Sequence, residues 1–256
     1  MNKTLLLGAL LCAGICSTTA QAAIIDFETL DTSYAPFAPL ISDGDAVTQG
    51  GYYAQGLDPN NSTGTPNMAL VAALVNGADS GTCLDGKCPT GNASNYIASV
   101  NDGLIALGQL NGGPMKLASF DAAFLMPSGV AVADGTPAYV AIEADRQDGS
   151  YAIGVFALGA VAADGTTAFQ TFQAGAAQII GGTGTLTSGT VTNLYAFAYY
   201  CGTGADCSAF DSNKGQFALD NIAVNVSAVP EPSQWLLMAA GLAAIGGVAN
   251  RRRQAR

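Results

Sequence analysis

AYVAIEADRQDGSYAIGVFAL, running from Ala138 to Leu158, decides the fold. Its arms, Ala138 to Ala144 and Tyr151 to Leu158, are built from small, β-branched and aromatic residues, and Asp145-Arg146-Gln147-Asp148-Gly149-Ser150 separates them. Aspartate and serine bond their own backbone and glycine accepts positive φ, so the stretch reads as two strands joined by a turn.

Working outward, the same pattern recurs. Ile24 to Leu30, Met68 to Val75, Tyr96 to Val100, Leu104 to Leu107 and Met115 to Leu125 precede the hairpin as strand candidates; Ala168 to Gln173, Gly184 to Thr187, Leu194 to Tyr200 and Gln216 to Val226 follow it. Gly, Pro, Asn and Asp bound most of them. Only Met68 to Val75, rich in alanine and leucine, also suits a short helix. In the last strand Phe217 and Leu219 have one parity and Ile222, Val224 and Val226 the other, which predicts a bulge at Asp220-Asn221. The expected fold is all-β: a jelly-roll-like β-sandwich over residues 23–228.

Different physics governs the two ends. Lys3, the apolar run Leu5 to Ile15 and the small-x-small site Ala20-Gln21-Ala22 make residues 1–22 a signal peptide, with cleavage between Ala22 and Ala23. Leu11 and Ile15 stand before Cys12 and Cys16 where a lipid-anchor site needs a small residue, so neither cysteine is an expected anchor. At the other end, Pro230-Glu231-Pro232 is an extended peptide ahead of an uncharged run, Trp235 to Ala249, and then Arg251, Arg252, Arg253 and Arg256. As a single hydrophobic helix the run would cover about 22 Å, short of the ~30 Å hydrocarbon layer. The arginines would hold the C-terminus on the cytoplasmic side.

This three-part tail, residues 229–256, resembles the PEP-CTERM sorting signal of Gram-negative bacteria. The resemblance implies that Pro230, Glu231 and Pro232 are presented to an exosortase, a transpeptidase-like membrane enzyme. It also implies transient anchoring in the inner membrane, then release to the cell surface or extracellular matrix. Gln216-Phe217-Ala218-Leu219-Asp220-Asn221-Ile222-Ala223-Val224 resembles the FxLDNIxV strand that closes many such exported domains, and also a QFxxD variant. In similar jelly-roll carbohydrate-binding modules a glutamate on the first strand and an aspartate on the last help hold a structural calcium. That resemblance makes Glu28 and Asp220 candidate ligands and Asp26 a weaker one, with other oxygens completing the six to eight that calcium requires.

Charge and composition narrow the function. Eighteen of the nineteen acidic residues, but only Lys87, Lys116, Arg146 and Lys214 of the nine basic ones, lie between the two ends. So acidic a segment repels nucleic acid and anionic lipid. With no histidine in the chain, Ser-His-Asp and Cys-His nucleophile systems are excluded. No nucleophile elbow, P-loop or dinucleotide fingerprint is present, and no pair of carboxylates is marked out for glycoside hydrolysis. The expected function is non-enzymatic: a structural or adhesive protein of the exopolysaccharide layer. A carbohydrate-binding module or carbohydrate-active enzyme is the alternative, and a permanently membrane-anchored protein a third reading.

Cysteine and tyrosine complete the reading. Cys83, Cys88, Cys201 and Cys207 allow three connectivities; the short turn-rich intervals and an oxidising compartment favour Cys83 with Cys88 and Cys201 with Cys207. Zinc is the rival reading, weakened by the spacing and the lack of histidine. Tyr34, Tyr52, Tyr53 and Tyr96 are candidate stacking surfaces for sugar. Tyr195, Tyr199 and Tyr200, alongside Leu194 and Phe197, read as packing residues.

Overall fold

Strand alternation closes into two layers. A computed structural model describes residues 22–83, 88–125, 137–162, 166–201, 207–210 and 215–226, of which Ala22–Val226 forms a compact unit. The expected signal peptide, the sorting motif Pro230-Glu231-Pro232, the apolar run and the terminal arginines lie outside the described residues. Fifteen strands are present: β1 (Ala22–Ile25), β2 (Leu40–Ser42), β3 (Ala46–Gln49), β4 (Tyr52–Leu57), β5 (Leu70–Asn76), β6 (Asn95–Ser99), β7 (Leu104–Gln109) and β8 (Met115–Leu125), then β9 (Pro137–Arg146), β10 (Tyr151–Ala160), β11 (Gln170–Gln173), β12 (Gln178–Gly182), β13 (Val191–Cys201), β14 (Cys207–Ser208) and β15 (Gln216–Val226).

All strand pairings between these elements are antiparallel. The front sheet runs β12-β10-β9-β13-β7-β4-β3, and the back sheet runs β11-β8-β15-β6-β5-β2. β1 extends the back sheet by pairing with β15 beyond β6, so first and last strands are neighbours, as a jelly-roll-like sandwich requires. One pairing, Val191 with Met115, ties the layers together. Between them lies the main core, in which Leu107, Leu117, Phe120, Ile142, Leu194, Leu219 and Ile222 meet. Phe120 and Phe156 pack edge to face with centroids 5.0 Å apart.

The expected hairpin forms with the Asp145–Tyr151 register at its end. Asp148 Oδ1 accepts from the Ser150 N–H and hydroxyl, and Gly149 takes φ 80°. Arg146 turns inward instead and donates to the Ser188 and Thr185 carbonyls and to the Ser150 and Ser188 hydroxyls. It locks the turn before β13 without any acidic partner.

Within Met68 to Val75 the chain is strand from Leu70 onward, the first of its two readings, and not the short helix that its alanine and leucine also suited. Other expectations differ in detail. Gly184 to Thr187 is turn, held by Arg146 and Ser188, while the neighbouring Gln178–Gly182 supplies the strand. The short strands β2, β3 and β4 fall outside the candidate set. Gly50 and Gly51, with φ 59° and 90°, make the two-residue turn joining β3 to β4.

The bulge is present. The β15–β8 register shifts between Asp220 and Ala223, Asn221 takes φ 48°, and Phe217, Leu219, Ile222 and Val224 all reach the main core despite their opposite parities. Outside the back sheet, Val75, Tyr96, Ala98, Ala123, Leu125 and Ala218 form a second small core with Cys83, which Cys88 and Phe169 cover. Both cysteine pairs bond locally, Cys83 to Cys88 and Cys201 to Cys207.

Deleting Asn221 should restore strict alternation and swing Ile222 and Val224 out of the core. Urea titration should then show no cooperative transition, whereas Leu219→Ala should keep one and lose about 3 kcal/mol.

Candidate functional site

While the second core covers the back sheet's outer surface, the outer surface of the front sheet carries a polar and aromatic face. In β13, Leu194, Ala196 and Ala198 point inward and Asn193, Tyr195, Phe197 and Tyr199 outward, so Tyr195 and Tyr199 are half-buried on the outer face, whereas Tyr200 packs against the core as its neighbours suggested. Opposite them on β9, Asp145 pairs with Asn193, Glu143 with Tyr195, Ala141 with Phe197 and Tyr139 with Tyr199. Tyr139 and Tyr199 stack with centroids 5.1 Å apart.

Glycine shapes the other half of the face. β4 presents Tyr53 and Gln55 outward, and Tyr53 pairs with Gly108 on β7, which in turn pairs with Asn193. A Cβ on Gly108 would lie 2.5 Å from the Tyr53 hydroxyl and 2.6 Å from ring atoms Cε1 and Cζ. The hydroxyl end of the ring therefore lies against Gly108, and the hydroxyl donates to Asn193 Oδ1 at 3.0 Å. Tyr34, Thr48, Gln55 and Leu110 surround it in a depression of about 300 Å³. Of the four candidate stacking tyrosines, Tyr34 and Tyr53 share this depression; Tyr52 and Tyr96 are core residues, 3% and 1% exposed.

Two carboxyl groups complete the face. Glu143 and Asp145 are adjacent outward positions of β9. Burial, and then the Asp145 charge, push the Glu143 carboxyl above its ordinary range. Tyr195 is raised by burial first and by the charges of Asp145, Tyr53 and Glu143, which places these groups in one electrostatic neighbourhood. A flat aromatic ring with amide and carboxyl groups beside it suits a pyranose: the ring offers a stacking surface and the polar groups accept hydroxyl protons.

The expected calcium ligands lie elsewhere. β1 and β6 meet end to end along β15, and Asp220, fully buried at 0% exposure, sits at that junction. Its carboxylate accepts from Asn92 Nδ2 at 2.7 Å, Ser94 Oγ at 2.8 Å and the Asn221 N–H at 2.7 Å. Glu28 is exposed and accepts from the Asn95 N–H and side-chain amide, at the rim of a groove of about 620 Å³. Asp26 accepts from Gln49 Nε2 at 2.6 Å. Each carboxylate thus faces N–H and O–H donors, and no group of three or more acidic or cysteine side chains suited to a metal occurs among the described residues. This donor set fits hydrogen-bonded carboxylates and does not fit calcium, which needs converging oxygens. Asp43 is buried and accepts from the N–H groups of Asp58 and Asn67 and from Asn61 Nδ2, fastening the 58–67 loop.

The tail carries a PEP-CTERM protein-sorting motif, matched over residues 228–253. The chain is therefore an exported protein sorted through an exosortase. No curated protein matches it. Among solved structures, an agarase is similar at 12% identity over 70% of this chain and 26% of its own, with TM-score 0.32. The family 11 carbohydrate-binding module of Clostridium thermocellum, solved with a β-1,3-1,4-mixed-linked tetrasaccharide, is similar at 10% identity over 75% of this chain and 96% of its own, with TM-score 0.29. Neither likeness is close enough to transfer a ligand or an activity.

Asp220 supplies a pH test. Burial raises its carboxyl above the ordinary value, against the lowering by Ser94, Asn92 and Asn221. A raised folded pKa favours the protonated form, so the Asp220 contribution is full below the unfolded pKa near 3.9 and is lost as pH rises through the folded value. In denaturant titrations the stability of Asp220→Asn relative to wild type should therefore climb across that window. Addition of EGTA should leave the melting temperature of the wild type unchanged.

Proposed function

We propose that this protein is a non-catalytic, adhesive component of the cell surface and exopolysaccharide layer, delivered there by exosortase processing, and that it holds polysaccharide on the outer face of its front sheet. The observation that carries the reading is the Tyr53 ring set against Gly108 with its hydroxyl on Asn193, in the depression on the front sheet's outer face. The sorting motif supports the destination. Export also accounts for the two local disulfides.

Catalysis is the weaker reading on physical grounds. Glycoside hydrolysis needs two carboxyl groups on opposite sides of the scissile bond. Glu143 and Asp145 stand side by side on one strand. They can grip one side of a sugar but cannot bracket a bond.

Two measurements test the proposal. The intact mass and fractionation of the protein should change when the exosortase is deleted; an intact tail in both strains would favour permanent anchoring. In affinity electrophoresis, polysaccharide from the producing cells should retard the full chain, and Tyr53→Ala should abolish the retardation. Gly108→Ala, which keeps the ring but tips it off the sheet, should weaken it about tenfold if stacking contributes over 1 kcal/mol. Retardation unaffected by either variant would exclude this face as the binding surface.

A further inference from the structure

The ligand's charge can be argued from the carboxyl pair, resting on the reading that the front face binds polysaccharide. On β9 the outward positions Glu143 and Asp145 alternate with inward Ala144 and Arg146. Arg146 directs its guanidinium to oxygens of Thr185, Ser188 and Ser150. The other described basic residue, Lys116, is on β8 of the back sheet. No ion pair to Glu143 or Asp145 occurs among the described residues. Neighbouring carboxylates without a cation repel one another, and the Asp145 charge acts on Glu143 in this way. That arrangement leaves a place where a cation would be favoured and an anion rejected.

Its position relative to the platform is set by the sheet. The Tyr53 hydroxyl ends on Asn193, and Asp145 is the residue paired with Asn193 on the next strand. One strand spacing, about 5 Å, separates them. Tyr195, outward on β13 and paired with Glu143, closes the other side. A sugar resting on Tyr53 therefore extends its substituents toward the two acids.

We infer that the face selects a polysaccharide carrying free amino groups, its pyranose ring resting on Tyr53 and its ammonium group held by Glu143 and Asp145. An ammonium donates three hydrogen bonds and carries the charge that the pair lacks. Anionic polysaccharide is disfavoured by the same groups.

Calorimetric titration of the full chain with β-1,4-linked hexamers of glucosamine, N-acetylglucosamine and glucose tests this at fixed salt. The glucosamine hexamer should bind at least about tenfold more tightly than the other two, as expected for charge-assisted contacts. The Glu143→Gln/Asp145→Asn double variant should remove that advantage, bringing the glucosamine hexamer down to the affinity of the neutral hexamers. Asp79→Asn/Asp121→Asn removes the same charge away from the front face and should leave it intact, which separates a site from bulk attraction. Equal binding of all three hexamers by wild type, or equal losses in both double variants, would overturn the amino-sugar inference while leaving the platform standing. Binding of none of them would overturn the inference, and retardation by the cells' own polysaccharide would then still decide the platform reading separately.

Discussion

The extra residue in β15 is the constraint on which the rest of the sandwich depends. β15 is the hinge of the back sheet: β8 runs along one edge, and β6 and β1 share the other. A strict two-residue alternation can feed only one parity to a core. The Asp220-Asn221 bulge lets Phe217 and Leu219 before it, and Ile222 and Val224 after it, enter the same interior. It also leaves the gap between β6 and β1 where Asp220 is buried. Asn92 and Ser94 then close that gap, so the carboxylate's hydrogen bonds and the strand register hold each other in place.

The two outer surfaces follow from this unequal construction. Before the bulge, β15 is buried on both sides, because Ala218 and its neighbours on β6 and β8 accept a second apolar layer under the Cys83–Cys88 loop and Phe169. The front sheet is covered differently: among the described residues Phe210 packs on outward Phe197 of β13, with centroids 5.1 Å apart. Its outward positions are instead Tyr53, Gln55, Asn193, Tyr195, Glu143 and Asp145, residues whose rings and polar ends coexist with water. Sandwich stability needs only one face of each sheet. The spare face is free for function.

How much of this was legible depends on how local each signal is. The hairpin at Asp145–Ser150, the β15 bulge and the cysteine pairing rest on residues close in sequence, and the chain states them directly. Gly50-Gly51 was an equally local hairpin signal, but Ala46–Gln49 and Tyr52–Leu57 are too polar to announce themselves as strands. Tyr195 and Tyr199 were misread because a run of apolar and aromatic residues looks like packing unless its parity is followed; the small Ala196 and Ala198 are the inward ones. Bringing Tyr53, Asn193 and Asp145 together needs the order β4-β7-β13-β9, which joins positions far apart in the chain. No local pattern encodes it. The family-derived calcium pair is similarly non-local: Glu28 and Asp220 both lie near the 92–95 turn, where Asn92, Ser94 and Asn95 hydrogen-bond to them.

One strand also explains why the face remains acidic. Alternation along β9 sends Arg146 inward and Asp145 outward although they are sequence neighbours. Inside, the guanidinium meets two carbonyls and two hydroxyls that orient the turn before β13, a set that satisfies its fork geometry without neutralising it. Moving that arginine outward would pair Asp145 but strand the Thr185 and Ser188 oxygens and loosen the β13 entry. The fold therefore uses Arg146 for architecture, and the same alternation leaves Glu143 and Asp145 facing outward without an ion pair among the described residues. Structural need and surface chemistry are set by a single alternation of side chains.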